Sequence, residues 1–265
     1  MIAKQDSFGQ ELYVFTEPAS NMPVSSLMVK YEAKLLKGYH SQNTEQRHSL
    51  ETHFGLSKKW MIEVGATMSD MYSSSLQFES LNFYTKYRFY SNDEVHRHFR
   101  AAAFLEGSYS RNEPFYDEIS FDGDQSGLRA GVILTQLLHK LALSSTLSMS
   151  QVIHETRFDK TSAADAYPWQ AFNYTLSAGY LLFPRNYNSF KQTNFNLYVE
   201  LLGSRALDKS LSYLDLAPAV QFIFNSNAKL NAGYRFQLNG NMTRMAKQSW
   251  LITLEITFLN ALKRK

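Results

Sequence analysis

At 265 residues without a single cysteine, the chain excludes disulfides, thiolate metal sites and cysteine nucleophiles together. Charged residues make up 19% of it and no apolar run approaches the eighteen or so residues of a membrane helix, which excludes a helical membrane protein. A formal charge of +3, with basic residues scattered, gives no footprint for nucleic acid.

Residues 1–24 carry Phe8, Leu12, Tyr13, Val14 and Phe15, then Thr-Glu-Pro-Ala-Ser-Asn-Met-Pro. Two prolines and no sustained period predict an arm, at the periplasmic mouth or as a lumen plug, before a barrel over 25–265. From Leu27 the apolar residues Leu27, Val29, Tyr31, Ala33 and Leu35 alternate with Lys30, Glu32 and Lys34. A period of two is that of a β-strand, and the charged face cannot meet lipid. A second run places His48, Leu50, Thr52, Phe54 and Leu56 outward and Arg47, Glu51 and His53 inward; a third, from Trp60, places Glu63 inward. Ser57 to Lys59 makes these two a hairpin.

The pattern persists to the end of the chain. A fourth strand (Leu81 to Phe89) directs Lys86 and Arg88 inward; a fifth, from Phe99, directs Arg100 and Glu106 inward. Ser91 to His96 is read as their connection. The acidic stretch Arg111 to Gly127, with Asp117, Glu118, Asp122 and Asp124, is read as a solvated surface loop, a Ca²⁺ loop being the sharper alternative. Strands six and seven flank His139-Lys140, with Arg129 inward; an eighth runs near Phe172 to Leu182. A ninth directs Asn194, Asn196 and Glu200 inward, and a tenth carries Asp215 and Pro218, where a bulge is expected. The eleventh has Lys229 and Arg235 inward, and the last, Trp250 to Phe258, has Glu255 inward.

These amount to about twelve strands, joined alternately by long loops and short turns, as in an antiparallel up-and-down transmembrane barrel with short periplasmic turns and longer extracellular loops. About sixty outward positions contain no Asp, Glu, Lys or Arg, against about a dozen expected by chance. Trp60, Phe89, Phe99, Phe195, Phe224 and Phe258 fall at the turn-side ends of outward rows, and Tyr109, Phe172, Phe236 and Trp250 toward the loops, as two interfacial girdles would. A soluble barrel of the lipocalin kind shares the alternation. Strand length, inward charges of both signs and alternating connection lengths favour the membrane. Such a barrel is exported, yet Met1 to Asp6 shows no leader, so the signal peptide is expected to be absent from this chain.

The chain resembles a group of Bacteroidota outer-membrane β-barrel proteins of transporter type. The resemblance is carried by Thr16 to Pro23, Phe54-Gly55-Leu56-Ser57-Lys58-Lys59, Tyr84 to Arg88 and Asn194 to Glu200. It implies fold and outer-membrane location rather than a substrate.

The candidate pore-lining set is Lys30, Glu32, Lys34, Arg47, Glu51, Glu63, Lys86, Arg88, Arg100, Glu106, Arg129, Glu200, Asp215, Lys229, Arg235 and Glu255. It supports either a passive channel for small polar solutes with a slightly cationic lumen, or a lumen filled by ion pairs in a structural or accessory subunit of a larger complex. Lipid is the expected partner of the first, and other outer-membrane or periplasmic proteins are added for the second. A lipid hydrolase is the third reading. His48 would be its base, but Ser145, on the same lipid-facing side, lies on a distant strand, so no catalytic pair is expected. The seven histidines show no repeated ligand spacing, so neither metal nor cofactor is expected.

Overall fold

The computed structural model describes residues 13–37, 44–94, 97–112, 114–153, 167–184 and 192–263. They form β1 (Leu27–Lys37), β2 (Thr44–Gly55), β3 (Trp60–Ser69), β4 (Gln77–Glu94), β5 (Arg97–Ser110), β6 (Gly127–Leu138), β7 (Leu141–Val152), β8 (Gln170–Phe183), β9 (Asn194–Ala206), β10 (Ser212–Phe224), β11 (Ala228–Gly240) and β12 (Gln248–Phe258). Each strand pairs antiparallel with its sequence neighbours. β1 closes on β12 from Leu27 opposite Phe258 to Leu36 opposite Ser249. Closure satisfies every edge, the condition lipid imposes on a spanning sheet. The fold is a transmembrane β-barrel of the outer-membrane, multi-pass type.

The outer surface keeps the alternation read from the sequence. Leu50, Val64, Leu81, Leu105, Val132, Leu147, Leu176, Val199, Leu230 and Leu254 are all exposed on the sheet exterior. Trp60, Phe89, Phe99, Tyr109, Phe224, Trp250 and Phe258 are exposed at the ends of these rows. Phe172, Phe195 and Phe236 are half-buried because neighbouring rings cover them, Phe195 against Phe222 at 4.8 Å and Phe236 against Tyr234 at 5.7 Å.

Three expectations change. Ser91 to Glu94 belongs to β4, which pairs with β5 as far as Glu94 opposite Arg97; the connection therefore shrinks, and a register shift between Arg88 and Tyr90 accommodates the extension. No bulge marks Pro218: the β10–β11 register is the same at Leu216–Phe236 and Ala219–Gly233 on either side of it, and the irregularity lies at Leu214/Asp215. Pro218 sits opposite Val199 of β9, so the missing donor costs pairing only locally. Third, the acidic β5–β6 loop is not a solvated surface loop. Ile119 and Phe121 are buried against Val152, Ala171 and Trp169, and Gly127 leaves the space Phe121 fills, since a Cβ there would lie 2.5 Å from its ring.

Candidate functional site: the barrel lumen

The lumen is lined unevenly. Across β11, β12, β1 and β2 the inward residues Lys229, Glu255, Lys30 and Glu51 stand directly opposite one another, alternating in sign. Lys229 meets Glu255 at 2.8 Å and Lys30 meets Glu51 at 3.0 Å. Facing pairs of this kind are what cross-strand geometry allows to interact. Glu32 bridges Lys30 and Lys34, each at 3.6 Å. By contrast, β7 and β8 offer Ser144, Thr146, Ser148, Ser150, Asn173, Thr175 and Ser177, without an ionisable inward group.

Arm residues engage the inward rows. Gly55 sits where a Cβ would lie 2.1 Å from the Pro23 carbonyl oxygen, and the Ser25 N–H donates to the Gly55 carbonyl at 2.7 Å. From there Arg100 donates to Ser20 Oγ at 2.8 Å, and the Ala19 N–H donates to Thr135 Oγ1 at 2.9 Å. Lys86, fully buried, donates to the Pro18 carbonyl at 2.7 Å and to Glu17 at 3.2 Å. Burial opposes the charge on Glu17, but the nearby cations Lys86, His53 and Lys30 outweigh it and hold its carboxyl below the usual range. Deepest, the Glu200 carboxylate accepts from the Val14 and Phe15 N–H groups, both at 2.9 Å, and from Thr16 Oγ1 at 2.6 Å. Glu200 is fully buried. Tyr13 packs edge-on to Tyr198, and the ring of Phe15 lies over Gly233, where a Cβ would be 2.5 Å from it.

The loop side is closed by different chemistry. Arg244, between β11 and β12, bonds Asp215 and Glu118, its Nη1 and Nη2 each 2.8 Å from an Asp215 oxygen. Arg235 joins them through Asp215 at 2.6 Å. Arg47 bonds both Glu79 at 2.9 Å and Asp124, which also accepts from Tyr72 Oη at 3.0 Å. Lys34 reaches Asp122 at 3.2 Å. Burial works against the Glu118 charge, yet Arg244 and Arg235 keep its carboxyl low; Lys34 does the same for Asp122. Between arm and loop lies a cavity of about 270 Å³, bordered by Tyr13 to Glu17 below, Asp122 above and Lys30, Glu51, Tyr84, Arg129 and Thr175 at the sides.

The remaining candidates are placed as follows. Arg129 pairs with Glu106, Glu63 approaches His53, and Arg88 caps the Lys58 carbonyl at the turn rim. Arg100 also meets Asp93. His48 bonds Tyr31 Oη at 2.7 Å and Gln46 on the outer face, its hydrogen bonds among the described residues including no serine. His40, His96 and His154 lie outside the described residues. Glu79 and Arg244 went unread. Glu79 has outward parity, but the register shift at Thr67/Met68 turns it in toward Arg47. Apolar Ile119 and Phe121 inside an acidic loop were the available signal that this loop packs.

No protein-family model and no curated protein matches the chain. Among solved structures it is similar to an outer-membrane channel from Pseudomonas putida F1, with TM-score 0.63 and 11% identity over 93% of this chain and 100% of that one. The β-domain of the Bordetella autotransporter BrkA gives TM-score 0.49 at 10% identity, over 88% and 99%. The first likeness is one of fold.

Proposed function

We propose that the chain is an outer-membrane channel for small polar solutes, held closed by its own arm and its β5–β6 loop. The observation that carries this reading is the cavity of about 270 Å³ between two independently fastened segments inside the barrel. Eight strands leave room only for side chains and sixteen leave an aqueous channel, so twelve strands with removable contents suit a gated path. The P. putida protein of the same fold is a channel, which supports the reading. The strand rows alone carry nine basic against seven acidic groups; Glu17, Glu79, Glu118, Asp122 and Asp124, with Arg244, make it ten against twelve, so the small excess changes sign and solute polarity rather than a strong field of one sign is selected. The Bacteroidota lineage rests on the four sequence motifs above.

Planar-bilayer recording of the purified chain, with and without residues 1–24, tests the proposal. Rare or small steps in the full chain and frequent steps after arm removal are expected. Silence in both would favour the second reading, a closed accessory subunit, for which the dense ion pairing of the lumen speaks.

A further inference from the structure

Near the turn-side end of the lumen, Glu51 and His53 sit two residues apart on β2, so both face inward, and Glu63 lies directly opposite His53 on β3. No spacing rule marks this trio, because its third member arrives by strand pairing. Gly65 stands opposite Glu51 and leaves the glutamate its space, since a Cβ there would lie 3.1 Å from Glu51 Cγ. One donor atom from each of the three residues falls within 4.8 Å of the others.

The imidazole is the telling group. His53 is 1% exposed, and neither ring nitrogen makes a hydrogen bond. Carboxylate oxygens are close, Glu51 to Nε2 at 3.4 Å and Glu63 to Nδ1 at 3.2 Å, but off the direction an N–H needs. A buried polar group without a well-directed hydrogen bond is costly, and a bound ion would relieve that cost at one ring nitrogen. Ligands bound tetrahedrally at zinc distances of about 2.0–2.2 Å lie about 3.3–3.6 Å apart, which a rotation of one glutamate toward the ring nitrogen the ion takes would reach. Lys30 takes one acceptor position of Glu51 and leaves others, since a carboxylate has about four. With a neutral imidazole, the two local carboxylates face the one ammonium of Lys30, while Glu17 of the arm is already paired with Lys86, so the trio retains a net negative charge for a dication.

We propose that Glu51, His53 and Glu63 bind one divalent transition-metal ion of the zinc type inside the lumen. Imidazole with carboxylates is the donor set such ions take, and three protein ligands leave a further position for water or an anionic solute. The site does not depend on whether the lumen conducts. The competing account is an imidazolium bridging the two glutamates.

The test uses the full chain folded in detergent, stripped with chelator and titrated with Zn²⁺ by calorimetry and elemental analysis. One ion per chain is expected. His53→Ala and Glu63→Gln should each weaken binding by more than about tenfold, since loss of even an outer partner costs that much. His48→Ala on the outer face should leave it unchanged. Heat-modifiable gel migration confirms folding, and Glu51→Gln serves if His53→Ala does not fold. Absence of stoichiometric Zn²⁺ in the unaltered chain, or undiminished binding in the variants, overturns the proposal in favour of the bridging imidazolium.

Discussion

Glu200→Ala is the sharpest perturbation of the closed state. Its carboxylate holds three consecutive arm residues through Val14 N–H, Phe15 N–H and Thr16 Oγ1, and no cation competes for it among the bonds it makes. Hydrogen bonds to a charged group contribute about 1.5–3 kcal/mol each, and three sharing one carboxylate do not add fully, so about 3–4 kcal/mol is a fair loss. At about 1.4 kcal/mol per tenfold, the ratio of docked to released arm falls by roughly a hundredfold or more. An arm released about 1% of the time would then be released for about half of it or longer, and openings, still set also by the loop, become correspondingly more frequent. In planar bilayers the variant should show a raised open fraction; Glu200→Gln, which keeps one acceptor oxygen, should fall between it and the unaltered chain. Open fraction is the decisive readout, because a smaller side chain alone could enlarge the step. If deletion of 1–24 opens the channel while Glu200→Ala gates like the unaltered chain, Glu200 is not the anchor and the reasoning fails.

The loop side makes its own predictions. Gly123 has φ +127°, and a Cβ on it would lie 2.5 Å from Glu79 Oε2, so Gly123→Ala should strain the loop by about 1–3 kcal/mol and increase flicker; identical gating would refute the latch. Glu118 and Asp122 are held below the ordinary carboxylate range in the folded loop. Their contribution is therefore complete above the unfolded value and lost as pH falls through the depressed one, so the share of loop closure that Glu118→Gln and Asp122→Asn remove should be constant from pH 7 to 5 and fade only below about pH 4. A share that already fades at pH 6 would contradict this. On the exterior, Leu254 is exposed near the middle of β12, and Leu254→Arg should cost about 2–4 kcal/mol in a urea unfolding titration in lipid vesicles, whereas a cost near zero would remove that residue from the lipid core.

The barrel was legible because lipid imposes one rule on every strand. Any outward charge is expensive, so Lys30, Glu32 and Lys34 fix the parity of β1 as firmly as Leu27 and Val29 do. That rule fails where the period is interrupted. Glu79 is misplaced by parity because one extra residue at the β3–β4 register shift reverses its face. The loop groups Glu118, Asp124 and Arg244 carry no period at all; their partners Asp215 and Arg47 are distant in sequence and become neighbours only when the barrel closes. The arm lay between the two: its prolines exclude a strand, but its anchorage depends on Glu200, which strand parity reads as one more lumen acid.

The density of lumen ion pairs has a cause other than stability. Desolvating a charge pair largely cancels its attraction, so the row Lys229, Glu255, Lys30, Glu51 adds little net free energy. It does discriminate between registers. A one-residue slip at the β1–β12 seam would turn Lys30 and Glu32 into lipid, and a two-residue slip in one direction would set Glu32 against Glu255; the same slip against β2 would set it against Glu51. The seam is where such specification matters, because it joins the chain's first strand to its last. Charges spent on pinning the register are already neutralised by their neighbours, which leaves the lumen strongly polar with little field of one sign. For the channel proposed above, such a lining would favour solutes that exchange hydrogen bonds with Ser, Thr and Asn along β7 and β8 over ions drawn by charge.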